Sequence, residues 1–247
     1  MKIKFDENLA DDQLLWRYMD LSKFISMLEN KAIWLARVDT VKDKHEGRFP
    51  DEMKRTLEEF YKNPSLNEKS SIENIVDFYD HLIKNTFISC WHKNFDENMV
   101  MWEIYGKVNN SIAIQTTAIE LKRCMTESKL NGHSFILQNV QYQHSNQIFG
   151  ELLYEDCFFI KRPHFSFEQE VRISLDTYAP KFESLKTPLG YDLPIMINDV
   201  ISKILIHPDS QDWFLDVLTA LIKKYNIKAP VLRGSYGNIY TQGQSNG

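Results

Sequence analysis

A chain of 247 residues with 43% hydrophobic side chains can bury a full core, and its 29 basic against 34 acidic residues leave a net charge of −5. That balance excludes a protein drawn to nucleic acid or anionic membrane by its overall field, leaving room only for a local basic groove, and an aromatic share of 13% tells against disorder. Cys90, Cys124 and Cys157 are odd in number, far apart and without paired metal-ligand spacing, which fits reduced thiols in a cytosol better than a disulfide framework or a zinc site.

In chain order, the opening MKIKFDENLADD lacks the apolar run of a signal peptide, and no later stretch is long and apolar enough to span a bilayer. The expectation is a cytoplasmic protein with no membrane partner. LWRYMDLSKFISMLENKAIWLARV then predicts a strand carrying Arg17, a helix and a second strand. Leu21, Phe24, Ile25 and Leu28 fall at helical spacing on one face, and Asp20 stands where an N-cap belongs. A helix start offers free backbone N–H groups and a positive dipole end, so with Arg17 beside it this block suits the phosphates of a nucleotide. The alternative is an ordinary strand–helix–strand core element with a surface arginine.

DTVKDKHEGRFP follows as a polar loop, a candidate lid, ending at Pro50 just before a helix. Residues 51–85 read as two helices inserted outside the sheet, the second opened by a Ser70 to Glu73 capping box with Ile72, Ile75, Val76, Tyr79 and Leu82 on its buried face. TFISCWH predicts a strand, NMVMWEIYG a short helix, SIAIQT a strand, and Thr117 to Glu120 a capping box for the next helix. FILQNVQY is a strand, IFGELLYEDCFFIK fits helix or strand, and EVRISL is a strand after the loop RPHFSFEQ. KILIHP is a buried strand, Asp209 the cap of an amphipathic helix with Trp213, Phe214, Val217, Leu218, Leu221 and Ile222, and APVLRG the last strand. Strands do not alternate regularly with helices. The expected architecture is therefore a single α+β domain over residues 1–242, with a mixed, mainly antiparallel central sheet, peripheral helices and a flexible tail at 243–247.

Three constellations could carry chemistry. Alternation along a strand would place Glu168, Glu170 and Arg172 on one side, where one carboxylate stays ionised against the arginine and the other serves as acceptor or base; the alternative is an exposed edge strand with a weak ion pair. Asn98, Met101, Trp102 and Tyr105 form a helical stripe that could line a base or sugar pocket, or be plain core with Asn98 as a cap. Ser89, Cys90, Trp91 and His92 lack a third orienting group, and nucleophilic catalysis is not expected. His45 with Glu46, and His207 with Asp209, lack repeated ligand spacing, so no metal is expected; neither a Walker loop nor a dinucleotide-binding glycine fingerprint is present.

LWRYM, DTVKDKHEG, FISCWH, NxxMWxxYG, SIAIQT, KRPHFSFEQEVR and ILIHP together resemble the bacterial family called domain of unknown function 2971 over nearly the whole chain. That resemblance implies no defined activity, but it associates the chain with defence against phage or mobile elements. The opening block also resembles the first strand, helix and second strand of the ADP-ribosyltransferase superfamily, with a serine motif on a central strand and a late Glu-x-Glu loop following in the same order at Ser89 and Glu168-Gln169-Glu170. Where that superfamily has Ser-Thr-Ser, this chain has Ile88, Ser89 and Cys90, and its first-strand residue maps to Arg17 or to Arg37.

The resemblance implies NAD as substrate. Glu170 would stabilise the oxocarbenium-like centre, Glu168 would orient or deprotonate the acceptor, and Arg17 would hold the pyrophosphate. Ser89 would line the NAD site, with Trp102 or Tyr105 stacking on a ring. A protein or nucleic-acid acceptor would make the chain a transferase, and water an NAD glycohydrolase. The competing reading is a non-catalytic sensor of a nucleotide or phage component.

Overall fold

The computed structural model describes residues 1–41, 47–63, 74–147, 153–177 and 188–236. The Ser70 to Glu73 capping box, the His45 and Glu46 pair, the centre of the candidate lid and the 243–247 tail lie outside them. Among the described residues the fold class is α+β with a mixed, mainly antiparallel sheet, in which β1–β6 and β11–β12 are parallel and the other pairs with a defined register antiparallel, and a separate parallel pair β7–β8.

The strands are β1 (Lys2–Phe5), β2 (Leu14–Asp20), β3 (Ala32–Arg37), β4 (Thr86–Lys93), β5 (Ser111–Thr117), β6 (Ser134–Asn139), β7 (Gln141–Tyr142), β8 (Ile160–Lys161), β9 (Glu170–Asp176), β10 (Gly190–Pro194), β11 (Lys203–Ile206) and β12 (Val231–Arg233). The longer helices are α1 (Leu21–Asn30), α2 (Asp51–Lys62), α3 (Ile75–Asn85), α4 (Ala118–Glu127) and α5 (Asp212–Lys224). The chain divides into two compact units, one of Met1–Glu7, Trp34–Cys90 and Lys129–Leu193, the other of Asn8–Ile33, Trp91–Ser128 and Pro194–Gly247.

In the first unit the strand order is β1-β6-β9-β4, with β3 pairing both β4 and β10. β9 is flanked on both sides and every residue in it is buried, so the alternative of an exposed edge strand does not hold. β1 and β10 are strands that sequence reading passed over, although in β1 Lys2, Ile3, Lys4 and Phe5 alternate; β1 lies at the edge, with Phe5 still 37% exposed. Ile88, Ile136, Phe158 and Phe159 form a core with Phe78 and Leu82 of α3, and Leu57 of α2 packs against it. The ambiguous YEDCFF stretch is a 3-10 turn, Tyr154–Phe159, rather than an α-helix. At Gly190 a Cβ would come within 2.2 Å of the Trp34 ring and 2.5 Å of the Leu35 carbonyl, a closeness only glycine allows where β10 meets β3.

In the second unit the order runs from the end of β4 through β2 and β5 to β11 and β12. α1 forms as its pattern requires: Asp20 accepts from the Lys23 N–H, Phe24, Met27 and Leu28 are buried, and Lys31 closes the helix in the left-handed region at φ 48°. Two other caps differ from expectation. Thr117 precedes α4 without a side-chain cap bond, and Glu120 pairs with Arg123. α5 begins after Gln211, and Asp209 accepts from the Tyr236 hydroxyl, leaving Trp213 and Val217 exposed while Phe214, Leu218 and Ile222 are buried.

Candidate functional site

Glu170, Glu168 and Ser89 belong to the first unit; Arg17, Trp102 and Tyr105 belong to the second. Around Glu170 the chain makes a 3-10 turn at Pro163–Glu168 and then turns sharply at Gln169, whose φ of 39° is left-handed. Glu168 is therefore not on the strand. The kink nevertheless brings it to the same cation as Glu170: Lys161 Nζ donates to Glu168 Oε2 and lies 3.1 Å from Glu170 Oε2. The other Glu170 oxygen accepts from Arg172 Nε at 2.7 Å, and Arg172 spends a second N–H on the Phe158 carbonyl. The Glu170 backbone N–H donates to the Tyr142 hydroxyl at 2.8 Å.

Two carboxylates thus face two cations where little water reaches, with Glu170 5% exposed, Arg172 0% exposed and Lys161 at the more open side. Burial works against ionisation of Glu170, but Arg172, Lys161 and a hydrogen bond from Cys90 outweigh it and hold the carboxyl at about 2. A carboxylate that stays ionised near neutral pH and is fixed at a strand start can stabilise a cation that develops beside it. Lys161 was the component sequence reading missed; its signal was the K-x6-E-x-E spacing within KRPHFSFEQE.

Cys90 faces Glu170, so strand alternation turns Ser89 to the opposite face of β4. Ser89 is 2% exposed, and its Oγ has no hydrogen-bond partner among the described residues. The order of the serine and the Glu-x-Glu pair along the chain does not bring the two together.

In the second unit, Arg17 lies with its guanidinium carbon 5.6 Å from the centre of the Trp91 ring. The first turn of α1 is already filled by an anion: the Asp20 carboxylate accepts from the Lys23 N–H at 2.9 Å and from the Ser22 hydroxyl. Burial resists ionisation of Asp20, but these bonds and the Lys23 charge prevail and lower its pKa. The Asp20 carboxylate thus takes one of the backbone N–H groups that the expected phosphate cradle at that helix start would offer. Arg37 is gripped by both oxygens of Asp39, at 2.7 and 3.0 Å.

The aromatic stripe is also divided. Met99–Met101 is a single α turn, and Trp102–Gly106 winds as a π turn closed by the Lys107 N–H on the Trp102 carbonyl at 3.0 Å. The wider turn puts Trp102 and Tyr105 in different surroundings, 0% and 42% exposed. Trp102 packs against Trp16, Tyr18 and Leu205 and donates its indole N–H to Glu97 Oε2 at 2.6 Å. Trp16 and Tyr18 occupy alternate positions of β2, so Arg17 between them points to the other face and does not share a pocket with Trp102. Asn98 is a cap, accepting from the Val100 and Met101 N–H groups. His207 Nδ1 accepts from the Asp209 N–H at 3.1 Å, and burial lowers its pKa.

No protein-family model and no curated protein matches the chain, so the likeness to domain of unknown function 2971 rests on its motifs alone. Among solved structures the chain is similar to Thermus sp. 2.9 DarT in complex with ADP-ribosylated ssDNA, at 9% identity and a TM-score of 0.39 over 92% of this chain and 96% of that one. It is similar also to the same protein with carba-NAD+, at 10% identity and a TM-score of 0.39, and with NAD+, at 8% and 0.38, each over 92% of this chain and 97% of that one. Similarity of this degree transfers no residue role. Among the described residues no helix is long and apolar enough to cross a membrane.

Proposed function

We propose that the chain is an NAD-using enzyme of the ADP-ribosyltransferase or NAD-glycohydrolase kind, with Glu170 as its central catalytic group and a place in bacterial defence. One observation carries the reading: Glu170 is buried yet held ionised by Arg172 and Lys161, with Glu168 on the same lysine. The order of motifs along the chain agrees with it. As nicotinamide leaves, positive charge grows on the ribose, and a preorganised carboxylate stabilises that charge without reorganising. Substrate entering against Lys161 would free Glu170 Oε2 for the ribose and leave Glu168 to orient the acceptor, whether protein, nucleic acid or water.

The second reading is a non-catalytic sensor of a nucleotide or phage component. It is favoured by the engagement of both Glu170 oxygens in ion pairs, as in a purely structural cluster.

The test is nicotinamide release by wild type and Glu170→Gln, with and without single-stranded nucleic acid and protein acceptors. The enzyme reading expects turnover to fall by about a hundredfold or more while NAD affinity holds. Equal rates overturn the catalytic assignment. Absence of release under every condition, with NAD still raising the melting temperature, establishes the sensor.

A further inference from the structure

The second unit carries a cleft of about 320 Å³ over the sheet, lined by Trp16, Gln115, Lys203 and Leu205 on the strands, with Phe95 and Asp96 among its other walls. Three of these form a cross-strand row: Gln115 of β5 is directly opposite Trp16 of β2 on one side and Lys203 of β11 on the other. Neighbours in such a row project from the same face, so the ring, the amide and the ammonium open together into the cleft.

The polar groups around this cleft are unevenly occupied. Both Glu97 oxygens are taken, by the Trp102 indole and by the N–H and hydroxyl of Ser235. Arg233 is spent on the Ser210 and Pro208 carbonyls and on Asp212. Gln115 is 6% exposed, and Ser202 donates to its Oε1, while its Nε2 has no partner among the described residues. Lys203 forms no ion pair among the described residues; its ammonium lies 5.8 Å from the centre of the Trp16 ring. An amide donor open to a cleft and an unpaired cation beside it are the arrangement that receives an anionic oxygen. Apolar surface surrounds them, from Leu205 to the 85% exposed Phe95. Asp96 also lines the cleft, and its charge selects against polyanions.

We propose that this cleft binds a singly charged carboxylate carried on an apolar body of about one ring system, the anion held by Lys203 and Gln115 and the ring against Leu205 and Phe95. The cleft is built from the second unit alone and does not depend on the enzyme reading. A volume near the lower end of ligand pockets sets the size of the body.

The experiment is a ligand-observed NMR titration of the full chain with benzoate, indole-3-acetate, benzyl alcohol and inorganic phosphate. The carboxylates are expected to bind saturably, and benzyl alcohol and phosphate at least about tenfold more weakly. Lys203→Gln, a half-buried position whose melting temperature should stay near wild type, is expected to weaken benzoate by about tenfold, and Gln115→Leu to do the same. Lack of saturable carboxylate binding overturns the proposal. So does equal affinity for benzyl alcohol, tighter phosphate binding, or unchanged benzoate affinity in a folded Lys203→Gln protein.

Discussion

Arg172 Nε donates to Glu170 Oε1 at 2.7 Å, joining two side chains of β9 that are almost wholly shut off from water. Removing Glu170 takes the carboxylate from a buried guanidinium, and removing Arg172 leaves Glu170 with Lys161 alone of the two cations that hold it. Arg172→Met is therefore expected to destabilise the fold by about 3–5 kcal/mol, and Arg172→Met combined with Glu170→Gln by less than the sum of the two single changes. Urea denaturation of the four proteins checks this; strict additivity would show that the pair does not act as a unit.

The pH dependence of stability follows from the same carboxylate. The Glu170 carboxyl, ordinarily near 4.5, is held at about 2 in the folded chain by Arg172, Lys161 and Cys90 against the opposing effect of burial. Because the folded value lies below the unfolded one, the ionised group contributes its full stability above about pH 4.5 and loses it as the pH falls towards 2. Acid unfolding followed by tryptophan fluorescence should show Glu170→Gln with a flatter profile across this window than wild type. Superimposable slopes would remove Glu170 as the source.

Trp102 gives a prediction about packing. Trp102→Ala empties a fully buried site and is expected to cost about 3–5 kcal/mol. Trp102→Phe keeps most of the ring volume but deprives Glu97 Oε2 of its indole donor, an expected loss of about 1–3 kcal/mol. Thermal and urea unfolding separate the two contributions. If Phe proved as costly as Ala, the hydrogen bond and the indole's exact fit, rather than ring volume in general, would account for the stability that Trp102 supplies.

Arg17 is the proposed partner of the NAD pyrophosphate. Its guanidinium rests beside Trp91, half-buried on the face of β2 that Leu15 and Met19 also occupy, so Arg17→Ala should lower the melting temperature by no more than a few degrees. NAD affinity, measured by calorimetry, is expected to fall by about tenfold or more, as for loss of a charge-assisted contact. Unchanged affinity would remove Arg17 from the site.

The sequence by itself determined the local elements. The apolar spacing of Phe24, Ile25 and Leu28 behind Asp20 makes α1, and the β-prone runs at Leu14–Asp20, Thr86–Lys93, Ser111–Thr117 and Lys203–Ile206 are strands where that pattern places them. Helical and strand periodicities are short-range properties, written within a few residues. The closeness of Glu168 and Glu170 was legible for the same reason, since two positions apart is a local fact. Their common cation was not: Lys161 reaches them because the 3-10 turn and the left-handed Gln169 fold the chain back, and nothing in the identity of Gln169 announces that turn. The π turn that parts Trp102 from Tyr105 is equally silent, because an i, i+3, i+4 pattern presumes the α period it was meant to reveal. The row of Trp16, Gln115 and Lys203 joins residues far apart along the chain. Only strand register decides such a meeting, and register is set by the packing of whole faces rather than by any short stretch of chain.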